Sequence, residues 1–263
     1  MMFNATYSLL TFEYFLLILV RISTCIFAAP FFNIKGIPNR IKIGLASCIA
    51  LMLTGVLPDQ NLAYTGIMEY GVIVIKEGIT GLLIGYSASI CNSIVLFAGS
   101  LMDMQIGLSM AQEFNPMTQM NESITGNLYN YMVMLMLLAT NMYHYVIRAV
   151  CESYQLIPIN QQVFQWDHLL KAISSYMSSL LVIGFRITLP VFACMMLVNC
   201  VLGILARVSP QMNMFAVGIQ LKVLVGLAVI FLALTLLDGV ASNVAQEMKR
   251  IVVDMIKGMY VSE

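Results

Sequence analysis

Ionisable side chains inside long apolar runs are the residues of this sequence that could do chemistry. They interrupt segments made otherwise of aliphatic, aromatic and small residues, at Glu13, Arg21, Lys76, Glu77, Arg186 and Lys222. A charge in hydrocarbon is costly, so such residues usually face protein or water and often pair with one another. Three interpretations fit them: ion pairs between helices or subunits, an ion or proton relay as in a secondary transporter, and snorkelling to the headgroups.

The spacing of these residues limits how they can pair. Glu13 and Arg21 are eight residues apart, which places them on a similar side of a helix but about 12 Å apart along its axis. They therefore cannot pair directly, and each needs a partner elsewhere. The adjacent Lys76 and Glu77 point roughly 100° apart on a helix and face different neighbours.

Catalytic and metal-binding motifs are absent from the sequence. It contains no HExxH, GxSxG, Walker or GxGxxG motif, and its two histidines, His144 and His168, have no cluster of ligands nearby. The six cysteines form no CxxC pair, which predicts small hydrophobic residues rather than disulfides or metal ligands. Thirteen basic and thirteen acidic residues balance, so nothing favours nucleic-acid binding. We expect no catalytic residue, no cofactor and no metal.

The elements that would position the charges are membrane-type helices. Hydrophobic residues make up 60% of the sequence and charged residues 10%, whereas soluble domains carry roughly a quarter charged residues. About six apolar segments have a length that suits a bilayer, and none shows the alternation of outer-membrane barrel strands. The segments are 9–32, 41–57, 64–99, 128–150, 169–205 and 214–237. The sequence predicts an all-α, multi-pass membrane-type protein.

Three features modify this simple pattern. The fifth segment is too long for one straight crossing, and Pro190 cannot donate to the carbonyl of Arg186, so a kink that gives a hairpin or a bent rod is one expectation. The alternative is that Pro190 merely bends an ordinary spanning helix. The connector 151–168 is expected to be a plain polar linker. After Gly239, apolar residues recur at helical spacing among charged ones, which predicts an amphipathic helix lying on a membrane surface or docking on a partner.

The charges of the loops give no single topology. Lys35, Arg40 and Lys42 place the first loop in the cytoplasm, and Arg207 agrees if there are six simple crossings. The acidic third loop and the basic tail disagree with that topology. Either one segment is a hairpin or a non-spanning piece, or the chain is not an ordinary bilayer bundle.

Three stretches resemble the FliR family, the R subunit of the flagellar type III export gate, whose injectisome counterparts are SpaR-like proteins. The first, at 21–22, 28–32 and 37–46, is similar to R-I…A-P-x-F…P-x-R-x-K-x-G-L-A. The second, at 107–116, is similar to the G-x-S…P loop. The third, at 207–226, resembles N-R-x-A-P-Q-x-N-x-F followed by G-F-P-L-K, with Ser209 replacing alanine and Ile219-Gln220 replacing Phe-Pro.

The resemblance implies a non-enzymatic subunit of the gate through which unfolded flagellar substrates leave the cell. It implies a P-subunit-like portion at 1–165, which includes the gate loop, and a Q-subunit-like hairpin with an amphipathic C-terminal helix at 166–263. Such a chain would join the P and Q subunits in a helical assembly, with the B subunit alongside, in the basal-body ring of the bacterial inner membrane. In that family the helices sit largely above the bilayer plane, which would explain the topology conflict.

By resemblance, the plug of the channel would lie in the second stretch. Met110 and Phe114 are the candidates, with Met117 and Met120 nearby. Methionine side chains are unbranched and flexible, so a ring of them can seal a channel and yield around varied substrates, and hydrophobic constrictions also gate by dewetting. Ordinary core contacts in a loop are the alternative interpretation.

Two other functions stay open. A self-contained secondary transporter should show internal repeats and discontinuous helices around a midplane site, and the sequence shows one broken helix and no convincing repeat. A transporter should also be stable alone, whereas a gate subunit should need its partners. An injectisome component differs only in its biological setting, and the stretch 107–116 favours the flagellar one.

Overall fold

The structure, a computed structural model, describes residues 2–32, 37–57, 64, 66–109, 123–209, 211 and 214–260. Within these ranges the regular elements are helices, and no strand is present. The α-helices are α1 (Met2–Ala28), α2 (Asn39–Thr54), α3 (Ile67–Ile106), α4 (Ile124–Ala139), α5 (Met142–Leu156), α6 (Trp166–Val208), α7 (Met214–Ala233) and α8 (Leu237–Lys257). A 3-10 turn, Leu234–Leu236, connects α7 to α8. The predicted all-helical fold is confirmed.

Local backbone conformations end several helices. Gly107 follows α3 with a φ of 91°, which glycine adopts without a steric penalty. Asn141 lies between α4 and α5 with a φ of 58°, and the helix is broken there. The apolar segment predicted over 128–150 is therefore divided between two helices, because a left-handed residue interrupts the helix in its middle.

The longest helix, α6, has 43 residues and carries Pro190 in its interior. Of the shapes left open at this proline, the hairpin is wrong, since the helix continues on both sides. A proline removes one backbone donor and leaves the neighbouring turns bonded. Ile187 and Val191, which flank it, are buried, so packing holds both turns in place.

The chain divides into two compact units, each assembled from separated stretches. Unit 1 comprises Met1–Ile90, Asn141–Tyr176 and Glu247–Glu263. Unit 2 comprises Cys91–Thr140 and Met177–Gln246. The predicted division at residue 165 separates a P-like from a Q-like portion. It concerns likeness to other subunits, which the compact units do not test, and it stays a prediction.

Within unit 1, the backbones of α1 and α3 touch. A Cβ atom on Gly81 would lie 2.0 Å from the carbonyl oxygen of Arg21, and one on Gly85 would lie 2.4 Å from that of Cys25. Both distances are far inside van der Waals contact, so only glycine fits at these positions. The close crossing sets the separation between side chains on the two helices.

The C-terminal residues of unit 1 are packed against the chain itself. Four apolar residues of this segment are at most 2% exposed, namely Met248, Val252, Met255 and Met259. The amide of Val163 donates to the carbonyl of Met259 at 3.2 Å, and that of Gln165 donates to Gly258 at 3.0 Å. The amphipathic helix is present, but the expectation that its apolar face lies on a membrane or a partner is wrong, because its own chain covers that face.

By length and apolar composition, three described helical stretches can cross a membrane. They are Ile67–Ile106, Trp166–Val208 and Ala216–Lys257. The bent pair α4 and α5 would make a fourth if it formed one crossing. However, α5 exposes an Arg148–Glu152 ion pair, whose side chains are 78% and 56% exposed, and such a surface suits water better than lipid.

Candidate functional site

An ion pair between α1 and α3 is buried inside unit 1. The Nε atom of Arg21 donates to Oε2 of Glu77 at 2.6 Å, and both side chains are 0% exposed. The glycine crossing of α1 and α3 brings the two helices close enough for this contact. Sequence reasoning expected each residue to need a partner elsewhere, and the structure brings these two together within one chain.

The end of α5 supplies further acceptors for the guanidinium. Nη1 of Arg21 donates to the carbonyl of Ile157 at 3.1 Å and to the hydroxyl of Ser153 at 3.4 Å. The ring of Tyr154 lies 4.2 Å from the Arg21 guanidinium carbon, and its hydroxyl donates to the carbonyl of Ile18. A charge out of water requires such hydrogen bonds and a cation–π contact to offset its desolvation.

The connector between α5 and α6 binds the carboxylate. Nε2 of Gln162 donates to Oε1 of Glu77, and the amide of Asn160 donates to the same oxygen at 3.4 Å. Gln162 is 5% exposed and Ile157 is fully buried. The prediction that 151–168 is a plain polar linker is therefore wrong, because these residues complete the shell around the ion pair.

This arrangement can link helices, but it has little capacity to bind a mobile ion, because its charges already compensate one another. Both Glu77 oxygens accept hydrogen bonds from the protein, and the Arg21 charge is compensated by Glu77. Two atoms of the cluster have no hydrogen-bond partner among the described residues, Nη2 of Arg21 and Oε1 of Gln162. The geometry therefore fits a structural link between α1, α3 and the connector.

The remaining predicted charges have different surroundings. Glu13 accepts a hydrogen bond from the Tyr64 hydroxyl, and this bond raises the pKa of Tyr64. Lys76 and Lys222 are half-buried, and Arg186 is exposed. None of these three cations pairs with a carboxylate in the part of the chain that the structure describes.

The predicted plug residues, Met110, Phe114, Met117 and Met120, lie outside the described residues. The described residues that flank them contain a second buried carboxylate, Asp103 of α3, which is 1% exposed. It accepts a hydrogen bond from the hydroxyl of Ser123 at 2.7 Å and bonds from the amide and hydroxyl of Thr125. Sequence reasoning missed this cluster because it ended the third apolar segment at residue 99, whereas α3 continues to Ile106. The signal available was Ser123, a residue type that caps helix N-termini, directly before a helical apolar run.

Metal-binding chemistry finds no support in the described ranges. They hold no group of three or more His, Cys, Asp or Glu side chains arranged for a metal ion. Free thiols are carried by Cys25, Cys48, Cys151, Cys194 and Cys200.

Comparison with known proteins gives consistent matches over most of the chain. The family described as "Bacterial export proteins, family 1" matches residues 12–248. "Flagellar biosynthetic protein FliR" of Bacillus subtilis (strain 168) is 29% identical over 235 residues, which cover 89% of this chain and 90% of that protein. The proteins of the same name from Pectobacterium carotovorum subsp. carotovorum and Escherichia coli (strain K12) are 28% and 23% identical over 238 residues, covering 90% of each chain.

Proposed function

This chain belongs to the bacterial export proteins, family 1, and from that premise we propose that it is a membrane subunit of the flagellar type III export gate. In this role it helps to form and seal the channel for unfolded flagellar substrates and catalyses no reaction. It acts in the bacterial inner membrane, at the flagellar basal body. Its partners are the P and Q subunits of the gate, with the B subunit alongside.

The observation that carries the proposal is the length and exposure of α6. Its 43 residues make about 64 Å of helix, roughly twice the 30 Å of a bilayer's hydrocarbon core. Only 11% of its most apolar stretch is buried within the chain. Lipid can cover about half of such a helix, so the remaining apolar surface calls for protein. A self-contained transporter would have to cover this surface itself.

Arg186 points to the same conclusion. It lies close to the middle of α6, and the large residues beside it, Val182, Phe185 and Leu189, are all exposed. If the bilayer is centred on α6, Arg186 lies in hydrocarbon and needs a carboxylate from another protein. If instead Arg186 lies at the headgroups, one half of the apolar helix leaves the bilayer and needs a protein cover. Either placement requires a partner.

The subunit-like portions and the plug are parts of this proposal. Residues 1–165 correspond to a P-like portion and 166–263 to a Q-like portion that closes the assembly. Met110 and Phe114 act as plug residues, with Met117 and Met120 beside them. The flexible thioethers support this role, because they can pack against one another and then around a passing chain.

Co-expression with the P and Q subunits tests the assembly. We expect the tagged chain, purified in mild detergent, to give a defined hetero-oligomer by native mass spectrometry. Arg186→Glu should lower the yield of that complex, and a reversed charge on a partner carboxylate should restore it. Arg148→Glu, at an exposed cation of α5, is the matched control and should leave the yield unchanged. A stable chain that ignores both subunits would overturn the proposal and favour the transporter.

Ion leakage tests the plug. Cells that carry the assembled gate with Met110→Ala and Phe114→Ala should leak small ions more than cells with the unaltered chain, because small side chains leave the constriction wetted. The control is Met104→Ala, since Met104 is exposed on α3. Unchanged leakage and unchanged secretion would remove Met110 and Phe114 from the gate.

A further inference from the structure

Asp103 joins the last turns of α3 to the first turn of α4 within unit 2. Its Oδ2 accepts from the hydroxyl of Ser123 at 2.7 Å, and its Oδ1 accepts from the amide of Thr125 at 3.2 Å and from the Thr125 hydroxyl. The Ser123 oxygen accepts in turn from the amide of Gly126 at 2.8 Å. One buried carboxylate thus binds the start of α4, where the helix dipole favours a negative charge.

A backbone contact lies beside this cluster. A Cβ atom on Gly99 would lie 2.0 Å from the Cα atom of Gly126. The axes of α3 and α4 therefore approach as closely as two backbones allow, one turn from Asp103. The contact fixes the distance between the helices, and the carboxylate fixes how the first turn of α4 sits on α3.

Both anchored points adjoin the stretch 107–122. Helix α3 ends at Ile106, three residues after Asp103, and α4 begins at Ile124, directly after Ser123. We propose that Asp103 is a positioning residue, which holds the end of α3 and the start of α4 together on either side of the stretch 107–122. This inference rests on the proposed function, since that stretch carries the candidate plug residues.

The carboxylate suits this task better than other side chains. It offers two acceptor oxygens to three donors, whereas an asparagine offers one oxygen and turns two N–H groups toward donors that already need acceptors. An alanine would leave the Thr125 amide and hydroxyl buried without partners. The position therefore depends on the charge of Asp103 as well as on its volume.

Hydrogen exchange and ion leakage, both measured on the assembled complex, test the inference. Asp103→Asn should speed exchange of the Thr125 and Gly126 amides by about tenfold or more. The Thr125 amide loses its bond to the carboxylate, and the Gly126 amide bonds to Ser123, whose hydroxyl loses its charged acceptor. The same variant should raise ion leakage through the membrane. Asp238→Asn, at an exposed carboxylate at the start of α8 in unit 2, is the matched control and should change neither quantity.

The outcomes separate this inference from the plug assignment. Unchanged exchange, or faster exchange with unchanged leakage, would overturn the positioning role of Asp103. If Asp103→Asn does not assemble, Thr125→Val removes one donor at nearly equal volume, and the same two readouts decide. If Asp103→Asn leaks while the Met110 and Phe114 variants do not, the plug residues are wrong and the inference about Asp103 stands.

Discussion

Removing the charge of Glu77 should be among the most destabilising single changes in unit 1. Glu77→Gln keeps the shape of the side chain but leaves the Arg21 guanidinium buried without a counter-ion. Both side chains are 0% exposed, so water cannot solvate the guanidinium charge that is left without its partner. Breaking a buried pair from one side costs about 3–5 kcal/mol, which corresponds to a fall in melting temperature of roughly 10 °C for a chain of this size.

The double variant Arg21→Met with Glu77→Gln gives the sharper result. Methionine fills much of the guanidinium's space, and the amide introduced at position 77 can still bond to Gln162, which donates to Glu77 in the unaltered chain. No charge is then left buried. The two single changes should each cost several kcal/mol, whereas the double change should cost clearly less than their sum, because the pair is coupled.

Denaturant unfolding of the purified chain in detergent, followed by circular dichroism, measures both effects. The matched control is Glu152→Gln, which breaks the exposed Arg148–Glu152 pair of α5. Exposed pairs of this spacing are worth about 0.3–0.5 kcal/mol, so this variant should unfold almost like the unaltered chain. The reasoning is refuted if Glu77→Gln costs less than about 1 kcal/mol, or if the two single changes add without coupling.

Three other predictions follow from the packing of unit 1, each measured by the same unfolding assay. Gly85→Ala should destabilise by about 2 kcal/mol or more, because its Cβ meets a backbone carbonyl at 2.4 Å, whereas Gly44→Ala, with nothing within 4 Å of its Cβ, should be neutral or stabilising through helix propensity. Val146→Ile should fill the cavity of about 20 Å³ that it lines with Cys25 and Cys151 and stabilise by at most about 0.5 kcal/mol. Val252→Asp should destabilise by several kcal/mol, because it buries a charge without a partner, and Lys249→Asp on the exposed face of the same helix should not.

The helices of this chain follow from its apolar runs, but the partners of its charges do not. Arg21 and Glu77 are separated by 56 residues, and no periodicity within either helix indicates that they meet. The glycines at 81 and 85 predict close packing in general terms, yet they do not specify α1 as the neighbour. The pairing is decided by tertiary contacts, which a single sequence does not encode locally.

Two errors of the sequence-based interpretation, on the connector 151–168 and on the C-terminal helix, have a common origin. The polar residues of these two segments suggest that the segments face solvent, a membrane or a partner. In the structure each contributes buried groups to unit 1, such as Gln162 of the connector and Met255 of the helix. A polar residue type shows that the residue can form hydrogen bonds. It does not show whether the partner is water or the rest of the chain.

Charged residues of this chain fall into two groups according to whether its own fold uses them. Arg21, Glu77 and Asp103 are buried and form hydrogen bonds with other residues of the same chain, so their role lies in the stability of its fold. Arg186 is exposed on an apolar helix and forms no ion pair with a carboxylate among the described residues, so the fold of the isolated chain does not use its charge. Its benefit must then arise in contact with another protein or at the headgroups.

We therefore expect opposite responses from the two groups. Glu77→Gln should lower the unfolding midpoint of the isolated chain. Arg186→Gln should leave that midpoint unchanged and reduce the fraction of chain recovered with the P and Q subunits. Equal midpoints together with equal recovery for Arg186→Gln would show that lipid headgroups, and not a partner, receive this charge.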